Sequence, residues 1–120
     1  KRPFVCYTII EDSGYAREEV MQEFKVKNQS PELIIELSGE IDSGNADEFY
    51  EEFVKNYQTP SNVVFECGKV EFIDSTTLGV FVKILKRIRS DGYSMKITGL
   101  IPRLKKLFVI CSLDTIMEIA

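Results

Sequence analysis

The best candidates for a functional site are the residues Asp74-Ser75-Thr76-Thr77, which follow a short apolar stretch and precede a helical pattern. Asp and Ser are both favoured at helix N-caps, where a side-chain oxygen accepts a hydrogen bond from a free backbone N–H. Capping alone can therefore account for the segment. A serine at a helix start is also exposed, and a phosphate there would lie against free N–H groups and the positive end of the helix dipole.

A phosphate on Ser75 would add about two negative charges beside Asp74. A partner that packs an acidic or apolar surface against this helix start would then be repelled. Such a switch would act through binding and would not require the domain to refold. The residues alone leave both interpretations open, a plain helix cap or a serine that carries a phosphate.

Other kinds of site find little support in the composition. The chain has no histidine, and its three cysteines, Cys6, Cys67 and Cys111, are widely spaced without a C-x-x-C pair. We therefore expect no metal site, no cofactor and no Ser-His or Cys-His nucleophile. The cysteines are expected to be reduced and mostly buried. Residues 39–44 match neither a Walker loop nor a dinucleotide fingerprint, so no nucleotide site and no catalytic residue are predicted.

Charge and hydropathy limit the kinds of partner that the chain can have. The net charge is −4, which argues against nucleic acid binding. Residues 1–60 hold 13 acidic and 6 basic side chains, whereas residues 61–120 hold 6 acidic and 9 basic ones. No apolar run approaches the length of a membrane span, and no signal peptide is evident. We expect a cytoplasmic protein without membrane contact, and since the chain begins at Lys1 we expect upstream residues to have been removed.

Apolar spacing predicts one α/β domain over residues 22–120. Alternating residues predict strands at 23–27 and 33–37, joined as a hairpin, followed by a polar loop at 38–45. Further strands are predicted at 63–65, with both faces covered, at 95–97 and at 116–119. Residues 1–21 are harder to assign: 4–10 could form a strand and 15–21 a short helix.

Three helices are predicted between these strands. Their apolar stripes are Ala46, Phe49, Phe53 and Tyr57; Leu78, Phe81, Val82, Leu85 and Ile88; and Leu104, Leu107, Phe108 and Cys111. The alternation of strands and helices implies a mixed, largely parallel sheet packed with about three to four helices.

Four sequence segments resemble the STAS-domain anti-sigma factor antagonists: 37–42 (LSGEID), 70–80 (VEFIDSTTLGV), 97–100 (ITGL) and 103–108 (RLKKLF). These segments are specific in combination, whereas either loop motif alone is only moderately specific. Together with Gly92 they extend the resemblance over about residues 22–119.

This resemblance implies a function by partner switching. In its unphosphorylated form the protein would bind an anti-sigma factor that is also a serine kinase, which releases the sigma factor for transcription. The kinase would phosphorylate Ser75, with Thr76 or Thr77 as alternative acceptors, and a metal-dependent serine phosphatase would reverse the reaction. The implied partner-binding residues are Asp42, Asp74, Ser75, Thr76, Thr77, Leu78 and Gly79, in a monomer or weak dimer.

The sequence departs from the family pattern in two ways. Thr77 stands where the family more often has glycine, and its bulk could change how a partner approaches. The family also usually has a helix after the last strand, and we expect residues 15–21 to cover the corresponding surface. The alternative function is a constitutive STAS scaffold, or a subunit of a larger signalling or transport assembly, in which Ser75 is only a cap. An enzyme is not predicted.

Overall fold

Strands and helices alternate along most of the chain in the computed structural model, which describes residues 5–8, 23–29 and 31–120. The strands are β1 (Val5–Thr8), β2 (Glu23–Asn28), β3 (Leu33–Ile41), β4 (Val63–Ile73), β5 (Met95–Thr98) and β6 (Glu118–Ile119). The helices are α1 (Ala46–Asn56), α2 (Ser75–Ser90) and α3 (Pro102–Ile110), and a 3₁₀ turn covers Leu113–Thr115. The predicted helix at 15–21 lies outside the described residues.

The six strands lie side by side in their chain order, β1-β2-β3-β4-β5-β6. β2 and β3 are antiparallel, which confirms the predicted hairpin, and all the other neighbouring pairs are parallel. Crossovers between parallel strands are almost always right-handed. Because each crossover from β3 onward steps in the same direction, right-handed connections place the helices on one face of the sheet. The predicted mixed, largely parallel sheet with three helices is confirmed.

The core fills the space between this face and the helices, and aromatic rings occupy its centre. Phe65 on β4 is fully buried, with ring centroids 5.8 Å from Phe49 on α1 and 5.4 Å from Phe81 on α2. The ring of Phe108 on α3 lies 5.8 Å from that of Phe81. These contacts hold all three helices to one another and to the sheet, so the helix starts keep fixed positions relative to the strand ends.

The opposite face of the sheet is more polar. Lys27 on β2 pairs with Glu66 on β4 at 2.7 Å, and Lys25 pairs with Glu36 on β3 at 3.4 Å. Val64 lies on this face and is only half-buried, whereas its neighbours Val63 and Phe65 are buried. The prediction that the strand at 63–65 is covered on both faces is therefore wrong for Val64.

The two central strands are longer than predicted. β3 continues through Ser38-Gly39-Glu40 to Ile41, where a polar loop was expected, and β4 continues from Phe65 to Ile73. Their register shifts twice, between Glu36 and Ser38 and between Gly39 and Glu40. In β4 the shifts place two exposed residues in succession, which breaks the alternation beyond Cys67. In β3 the alternation of burial continues to Ile41, and the strand was missed because Ser38, Gly39 and Glu40 are residue types that favour loops.

Smaller corrections concern the chain ends and the cysteines. α3 ends at Ile110, so Cys111 is its exposed C-cap residue and does not belong to the buried stripe. Cys67 is buried, as expected, and burial raises the pKa of its thiol to about 12. The last strand begins at Glu118, later than predicted, because the N–H groups of Ile116 and Met117 bond back to the Leu113 carbonyl. Among the described residues, no helix is both long and apolar enough to cross a bilayer.

Candidate functional site

Asp74 joins the end of β4 to the start of α2. Its backbone is extended, with φ −104° and ψ −179°, and its Oδ1 accepts a hydrogen bond from the Thr77 N–H at 3.0 Å. This is the geometry of a helix N-cap, in which the carboxylate satisfies one of the free N–H groups of the first turn. The predicted capping role of Asp74 is confirmed, and Ser75 is the first residue of the helix.

The second oxygen of Asp74 reaches a neighbouring loop. Asp74 Oδ2 accepts a hydrogen bond from the Ser43 N–H at 2.9 Å. Ser43 belongs to the turn of residues 42–45 that connects β3 to α1, which we call the β3–α1 turn. One carboxylate therefore ties together two loops that follow adjacent parallel strands, at the edge of the sheet where ligands and partners of α/β proteins bind.

The β3–α1 turn is built by its own side chains. Asp42 Oδ1 accepts from the Gly44 N–H at 2.8 Å, and Asn45 Oδ1 accepts from the Asp42 N–H at 2.9 Å. The buried Asn45 amide also donates to the Glu40 carbonyl at 3.0 Å. These bonds are typical of turns in which Asp and Asn side chains replace backbone partners. They hold Ser43 with its N–H directed at Asp74.

Thr77 lies beneath this junction and is completely buried. Its Oγ1 is 2.8 Å from the Ile41 carbonyl oxygen at the end of β3 and 3.0 Å from Asp74 Oδ1. A kinase cannot reach this hydroxyl in the present conformation. The prediction that Thr77 is an alternative phosphate acceptor is therefore wrong for this structure. Its side chain is also turned away from any partner, in contrast to the expectation that its bulk alters the approach.

Burial and hydrogen bonding act on the Asp74 carboxyl in opposite directions. Partial burial disfavours the charged form and by itself raises the pKa, whereas the hydrogen bonds from Thr77 and Ser43 favour the charged form. The hydrogen bonds prevail, and the pKa of Asp74 lies below its ordinary value. The site therefore holds a fixed negative charge beside Ser75 at neutral pH.

The remaining predicted residues differ in exposure. Ser75, Thr76 and Gly79 are exposed, Asp42 is half-buried, and Leu78 is buried in the core. Gly79 is one helical turn beyond Ser75, and a Cβ added there would meet no atom within 4 Å beyond the backbone of its own helix. The accessible surface thus consists of Ser75, Thr76, Gly79 and residues 42–44 of the β3–α1 turn, while Thr77 and Leu78 support it from below.

Sequence reasoning missed two residues that shape the site, Ser43 and Asn45. Asn45 precedes α1 in an N-cap position, yet its side chain makes no cap bond and bonds within the turn. The Asp-Ser-Gly-Asn composition of residues 42–45 indicates a tight turn, but it does not reveal which N–H would face Asp74. Within the part of the chain that the structure describes, no group of three or more Asp, Glu, Cys or His is arranged to hold a metal ion.

The sheet with helices on one face is the fold of STAS domains. The chain belongs to the STAS-domain family, since the family model matches residues 23–120. Among curated proteins it is similar to the anti-sigma-B factor antagonist of Bacillus subtilis (strain 168), with 33% identity over 95 residues that cover 79% of this chain and 87% of the relative. The match includes the whole junction between the β3–α1 turn and α2.

Solved structures agree on the fold. TM1081 of Thermotoga maritima, a candidate anti-sigma factor antagonist, superposes with a TM-score of 0.71 at 25% identity, covering 82% of this chain and 85% of its own. SpoIIAA, an anti-sigma factor antagonist of Bacillus, superposes with a TM-score of 0.60 in both its unphosphorylated and its phosphorylated form. The identities are 12% and 16%, and the matches cover 82% and 81% of this chain and 86% and 90% of SpoIIAA. β1 belongs to the same sheet as the matched region, and a domain boundary at residues 21–22 stays a prediction.

Proposed function

We propose that this chain is an anti-sigma factor antagonist that is switched by phosphorylation of Ser75. In this proposal the unphosphorylated form binds an anti-sigma factor that is also a serine kinase, and so releases a sigma factor. Phosphorylation of Ser75 ends that binding, and a metal-dependent serine phosphatase restores it. The observation that carries the proposal is the exposed Ser75 hydroxyl at the start of α2, next to an Asp74 carboxylate whose two oxygens are already engaged.

The local geometry suits a phosphate without a change of fold. The first N–H groups of a helix have no intrahelical partner, and the helix dipole favours negative charge there. At the same time the Asp74 carboxylate lies one residue away and is held by Thr77 and Ser43. A phosphorylated Ser75 would therefore keep its place while the negative charge of the surface rises sharply. A partner that fits the unmodified surface would then be repelled.

The relatives support the same function. The Bacillus subtilis protein is named for antagonism of an anti-sigma factor, and its similarity to this chain covers most of both sequences. SpoIIAA, which shares the fold, exists in a phosphorylated and an unphosphorylated form. Transfer of this behaviour to Ser75 is part of our proposal.

The proposed partner surface consists of Asp42, Asp74, Ser75, Thr76 and Gly79. Gly79 is informative because glycine inside a helix costs roughly 1 kcal/mol relative to alanine. A Cβ at this position would meet no atom within 4 Å beyond the backbone of its own helix, so packing within the chain does not require the glycine. Close approach of a partner backbone provides a reason for it. Thr77 and Leu78, also predicted to bind the partner, would contribute by supporting this surface.

Replacement of the acceptor tests the proposal directly. Ser75→Ala should abolish phosphorylation by the host's anti-sigma factor kinase and ATP and should still bind that kinase. Ser75→Asp should bind it at least tenfold more weakly, which corresponds to about 1.4 kcal/mol. Peptide mass spectrometry reports the modification, and titration calorimetry reports the binding.

Thr76→Ala is the matched control, because Thr76 is exposed on the same helical turn. It should be phosphorylated as wild type is, whereas loss of phosphate in this variant would move the acceptor to Thr76. Absence of phosphate from both positions in protein isolated from the native host across growth and stress conditions would contradict the switch. That result, together with a large stable assembly in size-exclusion chromatography instead of the proposed monomer or weak dimer, would favour a constitutive STAS scaffold.

The proposed surroundings of the protein follow from this function. The proposed switch controls the release of a sigma factor for transcription, so we propose a cytoplasmic location without membrane or nucleic acid contact. We also propose that the chain is a substrate of these enzymes and has no catalytic activity of its own.

A further inference from the structure

The Thr77 side chain contacts both parts of the site at once. Its hydroxyl lies within hydrogen-bonding distance of the Ile41 carbonyl at the end of β3 and of Asp74 Oδ1. Its backbone N–H donates to the same Asp74 oxygen at 3.0 Å. Thr77 therefore contacts the end of the strand that precedes the β3–α1 turn and the carboxylate that holds this turn.

We propose that Thr77 is a positioning residue that keeps the β3–α1 turn and the start of α2 in one fixed arrangement around Ser75. Its hydroxyl and N–H hold Asp74 Oδ1 in place, so that Asp74 Oδ2 stays directed at the Ser43 N–H. The hydroxyl has a single proton, and the two acceptors at 2.8 and 3.0 Å share it.

The hydroxyl contributes something that the backbone alone cannot. The cap bond engages only one oxygen of an N-cap aspartate and does not by itself fix the direction of the other oxygen. Here a rotation of the carboxylate about its contact through Oδ1 would remove Oδ2 from the Ser43 N–H. The Thr77 hydroxyl opposes the rotation with a second, charge-assisted contact to Oδ1, and its complete burial excludes water that would otherwise compete. Without the hydroxyl, the Ile41 carbonyl would also lose this donor.

The consequence for recognition rests on the function proposed above. A kinase that binds Ser75 together with the β3–α1 turn finds both already in the arrangement that it binds. Binding therefore carries no entropy cost for ordering the turn. Loosening the turn should therefore raise the KM for phosphorylation while kcat changes little, since Thr77 does not touch the Ser75 hydroxyl and is inaccessible to the kinase.

The first test uses substitutions of Thr77 and needs no partner. Thr77→Val has nearly the same shape without the hydroxyl, and Thr77→Ser keeps the hydroxyl. In amide exchange under native conditions, Ser43 should exchange about tenfold faster in Thr77→Val and as in wild type in Thr77→Ser. The pKa of Asp74, followed by NMR, should rise in Thr77→Val alone. If Thr77→Val does not fold, Thr77→Ala and Thr77→Ser form the comparison, with thermal melting as the check of folding.

The second test measures phosphorylation of the same folded variants by the host's anti-sigma factor kinase. We expect a KM about tenfold higher without the hydroxyl and its recovery in Thr77→Ser. Equal Ser43 exchange and equal KM in Thr77→Val and wild type would overturn the Thr77 proposal and leave the switch intact. If wild type itself is not phosphorylated, the function proposed above fails, while the exchange and pKa measurements still decide the role of Thr77.

Discussion

At the scale of single residues, the carboxylate of Asp74 holds the two loops of the site together. Asp74 caps α2 through Oδ1 and fixes the β3–α1 turn through Oδ2. The two functions place a negative charge beside Ser75 and direct the carboxylate oxygens toward the N–H groups of Thr77 and Ser43. Ser75 is exposed and is therefore accessible to another protein.

This double role predicts a dependence of stability on pH. Because the folded state lowers the pKa of Asp74 below the ordinary 3.8, the carboxylate stabilises the fold above that pH. The contribution is lost as the pH falls from about 3.8 through the folded pKa. In Asp74→Asn the free energy of unfolding should therefore fall less steeply at acid pH. At neutral pH it should be about 1 kcal/mol lower than in wild type, because the amide nitrogen of Asn would face the Ser43 N–H. Urea unfolding at a series of pH values measures both effects.

Ser75→Ala provides the control for this measurement, since it leaves the Asp74 carboxylate and its donors in place. Its acid limb should follow that of wild type. An unchanged slope in Asp74→Asn would mean that other carboxyl groups account for the acid sensitivity.

Sequence reasoning singled out Asp74 and Ser75 because they lie between a strand and an amphipathic helix, where a helix cap is expected, and the structure confirms this role for Asp74. It could not identify the contribution of Ser43, since that residue acts through its backbone N–H, which every residue except proline possesses. It also misjudged Thr77, because the side of the helix on which a first-turn residue lies depends on how the helix sits against the end of β3.

At the scale of elements, the helices were easier to predict than the central strands. The apolar stripe of α2 repeats without interruption, whereas the shifts in register between β3 and β4 place two polar or exposed residues in succession. Such irregularities follow from pairing with a neighbouring strand and have no local signal. They also set the position of the ends of β3 and β4, and therefore of the loops that form the site.

Substitution by alanine should change stability in opposite directions at Gly79, inside α2, and at Gly99, directly after β5. Gly79→Ala should stabilise the fold by about 0.5–1 kcal/mol, since the helix gains and nothing is displaced. Gly99→Ala should destabilise it by about 1–2 kcal/mol or more, because φ is +78° and the new Cβ would lie 3.0 Å from the Gly68 nitrogen. Chemical denaturation compares the two variants.

Gly79→Ala also separates folding from recognition. If the proposed partner approaches α2 closely at this point, the more stable variant should bind the anti-sigma factor more weakly, and calorimetry should show this. Binding equal to that of wild type would remove Gly79 from the partner surface while leaving the stability prediction intact.

At the scale of the whole molecule, stability depends on one aromatic core that spans the sheet and all three helices. Phe65→Ala should cost about 3–5 kcal/mol, since Phe65 is fully buried in the central strand and packs against rings from α1 and α2. Phe72, on the same strand but 45% exposed, is the matched control, and Phe72→Ala should cost less than about 1 kcal/mol. Thermal and urea unfolding would show the difference, and similar losses for both variants would mean that the ring cluster does not dominate stability.

The chain order of the strands has a consequence for how the protein is made. Because β2 to β6 each pair with the strand that precedes them, the partner of every new strand has already left the ribosome when that strand emerges. The sheet can therefore grow from its N-terminal side during synthesis, without waiting for a distant C-terminal segment. In this order the β3–α1 turn leaves the ribosome before α2 does. Ser75 therefore reaches its final surroundings as soon as α2 packs beside the turn.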